Sequence, residues 1–111
     1  LFSFLAQYAH AINWTCAPVK FADGSSGSGE SFVLLESGSD YIRPRGDHKQ
    51  VLKFVGEDLT SAEWQKMYRD DWGGIGAIWL RGKPNFADGR ADFIAAYANY
   101  SGFVKASCTK F

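Results

Sequence analysis

A chain of 111 residues has room for one domain with one hydrophobic core. Its 46% apolar and 16% aromatic content excludes a disordered segment. The 12 Lys and Arg balance the 12 Asp and Glu, which excludes a global basic field for nucleic acid and an acidic one for a basic partner, so a charge-based site must be local.

Residues 1–11, LFSFLAQYAHA, are apolar and close on Ala9-His10-Ala11. They read as the tail of a signal peptide cleaved before Ile12. The alternative is an ordered amphipathic start that packs on the domain. No later stretch is apolar enough, for long enough, to span a membrane. In an exported chain Cys16 and Cys108 read as one disulfide, with two separate buried thiols as the alternative. So long a loop stabilises by roughly 4–5 kcal/mol through chain entropy. The pair is neither a CxxC redox motif nor a four-ligand zinc site, and neither metal nor cofactor is expected.

Residues 12–21, INWTCAPVKF, have the composition of a first strand, and 23–29, DGSSGSG, that of a flexible loop without a phosphate-binding pattern. Residues 31–36, SFVLLE, fit a strand or one to two helical turns. A turn follows at Arg43-Pro44-Arg45-Gly46-Asp47, then a strand over Val51–Val55. Thr60-Ser61-Ala62-Glu63 is a capping box with Thr60 at the N-cap. It predicts a helix to about Asp70, with Trp64, Met67 and Tyr68 on one face. After Gly73-Gly74, strands are predicted over Ile75–Arg81, Ala91–Tyr97 and Phe103–Cys108, with turns at 82–89 and 99–102. The sum is an α+β domain with four or five mostly antiparallel strands and one or two helices.

Chemistry is sparse. His48 is the one histidine beyond the leader, whereas acid–base cleavage wants two matched titrating groups. Asp70-Asp71, read as adjacent helical residues, do not face each other. The sharpest local feature is a basic run, Arg43, Arg45, His48, Lys49 and Lys53, with four formal positive charges flanked by Tyr41 and Phe54. Cations mixed with an aromatic can hold phosphates and stack a base, although a solvated turn and strand edge has the same composition. Asn13-Trp14-Thr15 and Asn99-Tyr100-Ser101 are sequons.

Trp14-Thr15-Cys16 just after the cleavage site, a single late partner Cys108, and a mature length of about a hundred residues together resemble the secreted effector candidates of powdery mildew fungi. Asp71-Trp72-Gly73-Gly74, Ala77-Ile78-Trp79-Leu80 and Ser107-Cys108-Thr109-Lys110-Phe111 are similar to their subgroup of RNase-like proteins associated with haustoria. The resemblance covers most of residues 12–111. It implies a fungal ribonuclease-like fold, a helix packed on a twisted antiparallel sheet, with 28–37 helical. It also implies a virulence effector delivered into the host plant cell. The implied partners are host proteins, an intracellular immune receptor among them, or host RNA. Ribonucleases of that kind use a Glu, an Arg and two His. The penultimate strand here, Phe93-Ile94-Ala95-Ala96-Tyr97, has no His, and Ala77 or Ile78 stands near the Arg position. The expectation is therefore a pseudo-ribonuclease that binds without cleaving, with Tyr41, Arg43, Arg45, His48, Lys49 and Lys53 as the contact surface. The alternative is a small active ribonuclease or other hydrolase around His48, Asp47 and Glu57.

Overall fold

The computed structural model describes residues 11–18, 31–71, 76–97 and 103–111. All but the last residue of the expected leader 1–11, the expected loop 23–29, the glycine pair 73–74 and the expected turn at 99–102 lie outside them. The described chain is all β. Eight strands, β1 Trp14–Pro18, β2 Phe32–Ser37, β3 Asp40–Arg45, β4 His48–Leu59, β5 Trp64–Asp70, β6 Gly76–Gly82, β7 Arg90–Tyr97 and β8 Phe103–Lys110, follow one another around a closed barrel. Every pairing is antiparallel, and β8 returns to β1 to shut the ring. This overturns the α+β ribonuclease-like fold of four or five strands and one or two helices. Among the described residues the sole helical element is the single 3-10 turn Pro84–Phe86.

The predicted helix over 60–70 is a turn followed by β5. The local signal was real. The Thr60 hydroxyl oxygen accepts the Ala62 and Glu63 amides at 3.2 and 2.9 Å, and the Thr60 amide donates to the Glu63 carbonyl at 3.0 Å. Those bonds reverse the chain between β4 and β5 instead of starting a helix. The Glu63 side chain, which a capping box would turn back on Thr60, lies 3.2 Å from Arg81. Trp64 and Tyr68 are four residues apart, a spacing that suits a helix face and a strand face equally. Paired on both sides, to β4 and β6, the segment has its backbone groups satisfied by neighbouring strands and lays Trp64 and Tyr68 into the barrel core. Residues 28–37, implied helical, contain β2.

Closure sorts every strand by a period of two. Trp14 and Cys16, Gln50 and Leu52, Ile78 and Leu80, then Ala91, Phe93 and Ala95 are buried inside, while Lys53, Arg69, Arg81 and Ser107 lie on the exposed face. Ala91, Ala95 and Ala106 are the small members that let Trp14 and Phe93 fit a narrow interior. Lys53, Arg69 and Arg81 set cations on the outer wall of the ring. Two-residue loops, Gly38-Ser39 and Gly46-Asp47, join β2 to β3 and β3 to β4, each opening on a glycine at φ +63°. In β4 the register slips between Phe54 and Gly56, a bulge that leaves Val55 58% exposed.

Cys16 and Cys108 face each other across the β1–β8 seam and are disulfide-bonded. At the end where β1 begins, the turn Pro84–Phe86 folds inward as a plug. Phe86 sits edge-on to Trp14 at 5.3 Å and to Trp64 at 6.1 Å. It does so at φ +48°, next to Asn85 at φ +59°, backbone that costs a non-glycine residue of order 1–2 kcal/mol. The plug also explains Gly82. A Cβ there would stand 2.8 Å from the Arg90 carbonyl oxygen and 2.8 Å from the Phe86 ring. Gly82→Ala is expected to lower the unfolding free energy by about 1–3 kcal/mol. A urea titration beside Gly56→Ala, whose Cβ would meet only the Met67 methyl at 3.5 Å, reads out the difference.

Candidate functional site

The barrel divides the basic run among different faces. Tyr41 is a core residue, 7% exposed, whose hydroxyl donates to the Ile12 carbonyl at 2.9 Å and accepts from Trp14 Nε1 at 3.1 Å. Arg43 shares its inward parity and lays its guanidinium over the Phe32 ring, 3.9 Å from the centroid. Arg45 and His48 face each other at the far hairpin, and Lys49 pairs with Pro44 on the opposite face. Lys53 points outward and is 3.5 Å from Asp40, an exposed pair worth well under about 1 kcal/mol. Arg43, Arg45 and His48 thus share one face of the β3–β4 hairpin, Lys49 and Lys53 take the other, and Tyr41 is in the core.

The alternative catalytic set is not assembled. His48, with its side chain 80% exposed, lies 3.7 Å from Asp47. Glu57 is at the other end of the same strand, roughly 25–30 Å away at the rise of an extended chain. Asp71 is not half of a carboxylate pair either, since its Oδ1 accepts the Val51 amide at 2.9 Å. Among the described residues no cluster of His, Cys, Asp or Glu could hold a metal. Of the motif Trp14-Thr15-Cys16, Trp14 and Cys16 are core and Thr15 faces out against Thr109 and Val33.

What closure does assemble is a recess of about 310 Å³ at the plugged end. Tyr41, Phe54, Tyr68 and Phe86 form its aromatic walls, and Glu36, Glu57 and Lys66 stand among its lining. Tyr68 is the hub. Its ring is edge-on to Tyr41 and to Phe54, each at 5.7 Å. Glu36 comes from the end of β2, where its Oε2 accepts the Ile12 amide at 3.3 Å. Glu57 and Lys66 are register partners on β4 and β5. The bulge at Val55 restores the inward parity of Glu57, which an unbroken β4 would turn outward. Of these residues the sequence reading singled out Tyr41, Phe54 and Glu57, each for another role. Tyr68 stood out only as part of a helix face, and Glu36, Lys66 and Phe86 carried no signal, because strand neighbours are set by register and not by spacing along the chain.

The recess also has an electrostatic signature. Burial pushes the Tyr41 phenol up to about 12, against the lowering effect of the Trp14 hydrogen bond and with a further rise from Glu36. Burial raises Tyr68 still further, helped by Tyr41, Glu36, Glu57 and Asp40. Both phenols hold their protons more tightly in the fold than in the unfolded chain, where the value is about 10. The stability this linkage carries is complete below pH ~10 and drains away as pH rises through the folded values. Between pH 9 and 11 the unfolding free energy is expected to fall by roughly 2–3 kcal/mol, about half of it lost in Tyr68→Phe. Denaturant titrations across that interval measure it, and a flat profile would refute it.

A second recess of about 350 Å³ lies on the outer wall, lined by Arg81, Lys83 and Arg90 against Glu63, Asp88 and Asp92. Its charges answer one another. Arg81 Nε lies 3.2 Å from Glu63 Oε1 and 3.0 Å from Gln65 Oε1. The inner recess is therefore the better site, being aromatic and enclosed by a closed barrel. No protein-family model, no curated protein and no solved structure matches the chain.

Proposed function

We propose that this protein acts by binding, and that its ligand is a small organic molecule seated in the recess between Tyr41, Phe54, Tyr68 and Phe86. The observation that carries this reading is the aromatic recess itself, about 310 Å³ in volume. That is the lower end of the range for small-molecule sites. An eight-stranded barrel holds side chains or one small ligand, and here the inside is packed below while the end stays open. The walls sit on paired strands and a disulfide locks the ring, so little ordering is left to be done when a ligand enters.

The effector role implied by Trp14-Thr15-Cys16 belongs to the same proposal. An exported barrel with an internal disulfide suits an oxidising compartment, and it would act in the host plant cell by capturing a molecule. The nucleic-acid part of that reading leans on Arg43, Arg45 and His48 along one face of the hairpin, with Asp47 at its tip. The small-molecule reading is the better supported.

The test is an amide and aromatic NMR titration of the oxidised protein with a set of small aromatic fragments. Shifts centred on Tyr41, Phe54 and Tyr68, weakened at least tenfold in Tyr68→Ala, support the proposal. Shifts confined to the Gly46-Asp47 hairpin, or none up to millimolar fragment, defeat it.

A further inference from the structure

We infer that the ligand of the recess is an organic cation, an amine carried on a compact apolar or aromatic body. This deepens the reading above and rests on it. The recess has two chemically distinct parts. The walls are ring faces and edges of Tyr41, Phe54 and Tyr68, which suit an apolar body and attract a cation through their quadrupoles. Two carboxylates, Glu36 and Glu57, complete the lining, against one cation, Lys66. With Ile12 joined to Ala11, the chain used in the test below, the formal balance is one negative charge in a partly enclosed space, on a protein whose net charge is zero.

Where Lys66 lies sharpens the argument. Its ammonium nitrogen lies over the Trp64 ring, 5.8 Å from the centroid, a contact that draws it toward that ring. Glu36 keeps one carboxylate oxygen on the Ile12 amide, which holds the group at the rim and leaves the other oxygen to a ligand. Beyond the effect of burial, Glu36 opposes ionisation of Tyr41 and Tyr68, and Glu57 that of Tyr68. An anionic ligand would meet that same field with the opposite sign. A neutral one would leave the carboxylates with water as their only partner. An amine supplies donors to the carboxylates and a positive charge to the rings, which is the charge-assisted arrangement.

Three probes of one shape separate the possibilities: phenethylamine, 2-phenylethanol and 3-phenylpropanoate, titrated by calorimetry and NMR at pH 7 in low and physiological salt. The amine is expected to bind at least tenfold tighter than the alcohol, with the acid weakest and the amine advantage shrinking as salt rises. Glu36→Gln with Glu57→Gln is expected to narrow the ratio of amine to alcohol to within threefold. Both side chains are exposed, and the melting temperature of the double variant verifies its fold. If the alcohol or the acid binds as well as the amine, the cation inference fails while the binding reading stands. If none of the three binds at millimolar concentration, both fail.

Discussion

Replacing the cysteines together, Cys16→Ala with Cys108→Ala, is expected to lower the unfolding free energy by about 4–5 kcal/mol. The bond closes a loop with a separation of 92 residues. In the chain-entropy account so long a loop takes most of the denatured chain's freedom with it. A domain of this size holds only about 5–15 kcal/mol in all, so the variant should be close to unfolded at physiological temperature. Position magnifies the effect. The two residues are opposite each other on the first and last strands, both fully buried, so the disulfide sits at the seam that turns an open sheet into a ring. Urea unfolding of the wild type and of the double variant measures the change directly. A loss under about 1 kcal/mol would mean that the β1–β8 ladder closes the barrel unaided.

Trp14→Ala is the second large effect, expected at about 3–5 kcal/mol. Trp14 is fully buried, meets the Phe86 plug edge-on at 5.3 Å, and donates its indole N–H to the Tyr41 hydroxyl at 3.1 Å. Removing the ring leaves a cavity under the plug and takes a donor from Tyr41, whose own bond to the Ile12 carbonyl stays. Because Phe86 and Tyr41 both line the recess, the variant should lose ligand affinity along with stability. Trp14→Phe keeps most of the volume without the N–H and is expected to cost about 1–2 kcal/mol. Denaturation midpoints for the pair separate packing from the hydrogen bond. Equal losses would assign the whole effect to the N–H.

Much of the strand content was readable because half-buried strands alternate. Val51–Val55 falls inside β4, Ile75–Arg81 and Ala91–Tyr97 fall on β6 and β7, and the last strand begins at Phe103 as expected. The cysteine pairing was readable too, since two distant cysteines outside any CxxC or zinc-ligand spacing leave a disulfide as the natural reading. The segment 60–70 was misread for a specific reason. Thr60 to Glu63 makes real capping bonds, and a four-residue interval cannot distinguish a helix from a strand. Reading it as helical lost β5, and with β5 the Tyr68 and Lys66 side of the recess.

The basic run is split by parity. Arg43, Arg45, His48, Lys49 and Lys53 are close in sequence, but successive residues of a strand face opposite ways, so the hairpin sets Arg43, Arg45 and His48 on one face and Lys49 and Lys53 on the other. The candidate site has the reverse character. Glu36, Tyr41, Glu57, Lys66, Tyr68 and Phe86 are scattered along the chain and meet because successive strands curl into a ring.

The amino-acid sequence by itself determined a single ordered domain, the covalent staple between Cys16 and Cys108, and which stretches alternate between apolar and polar, because burial and strand periodicity are local properties of composition. Tertiary structure alone decided that the sheet closes, that Thr60 starts a turn and not a helix, and that two glutamates and four phenyl or phenol rings share one recess. Those outcomes depend on the pairing of β8 with β1 and on the one-residue bulge at Val55. Hydrogen bonds between residues far apart in the chain set both, and no pattern along the chain encodes them singly.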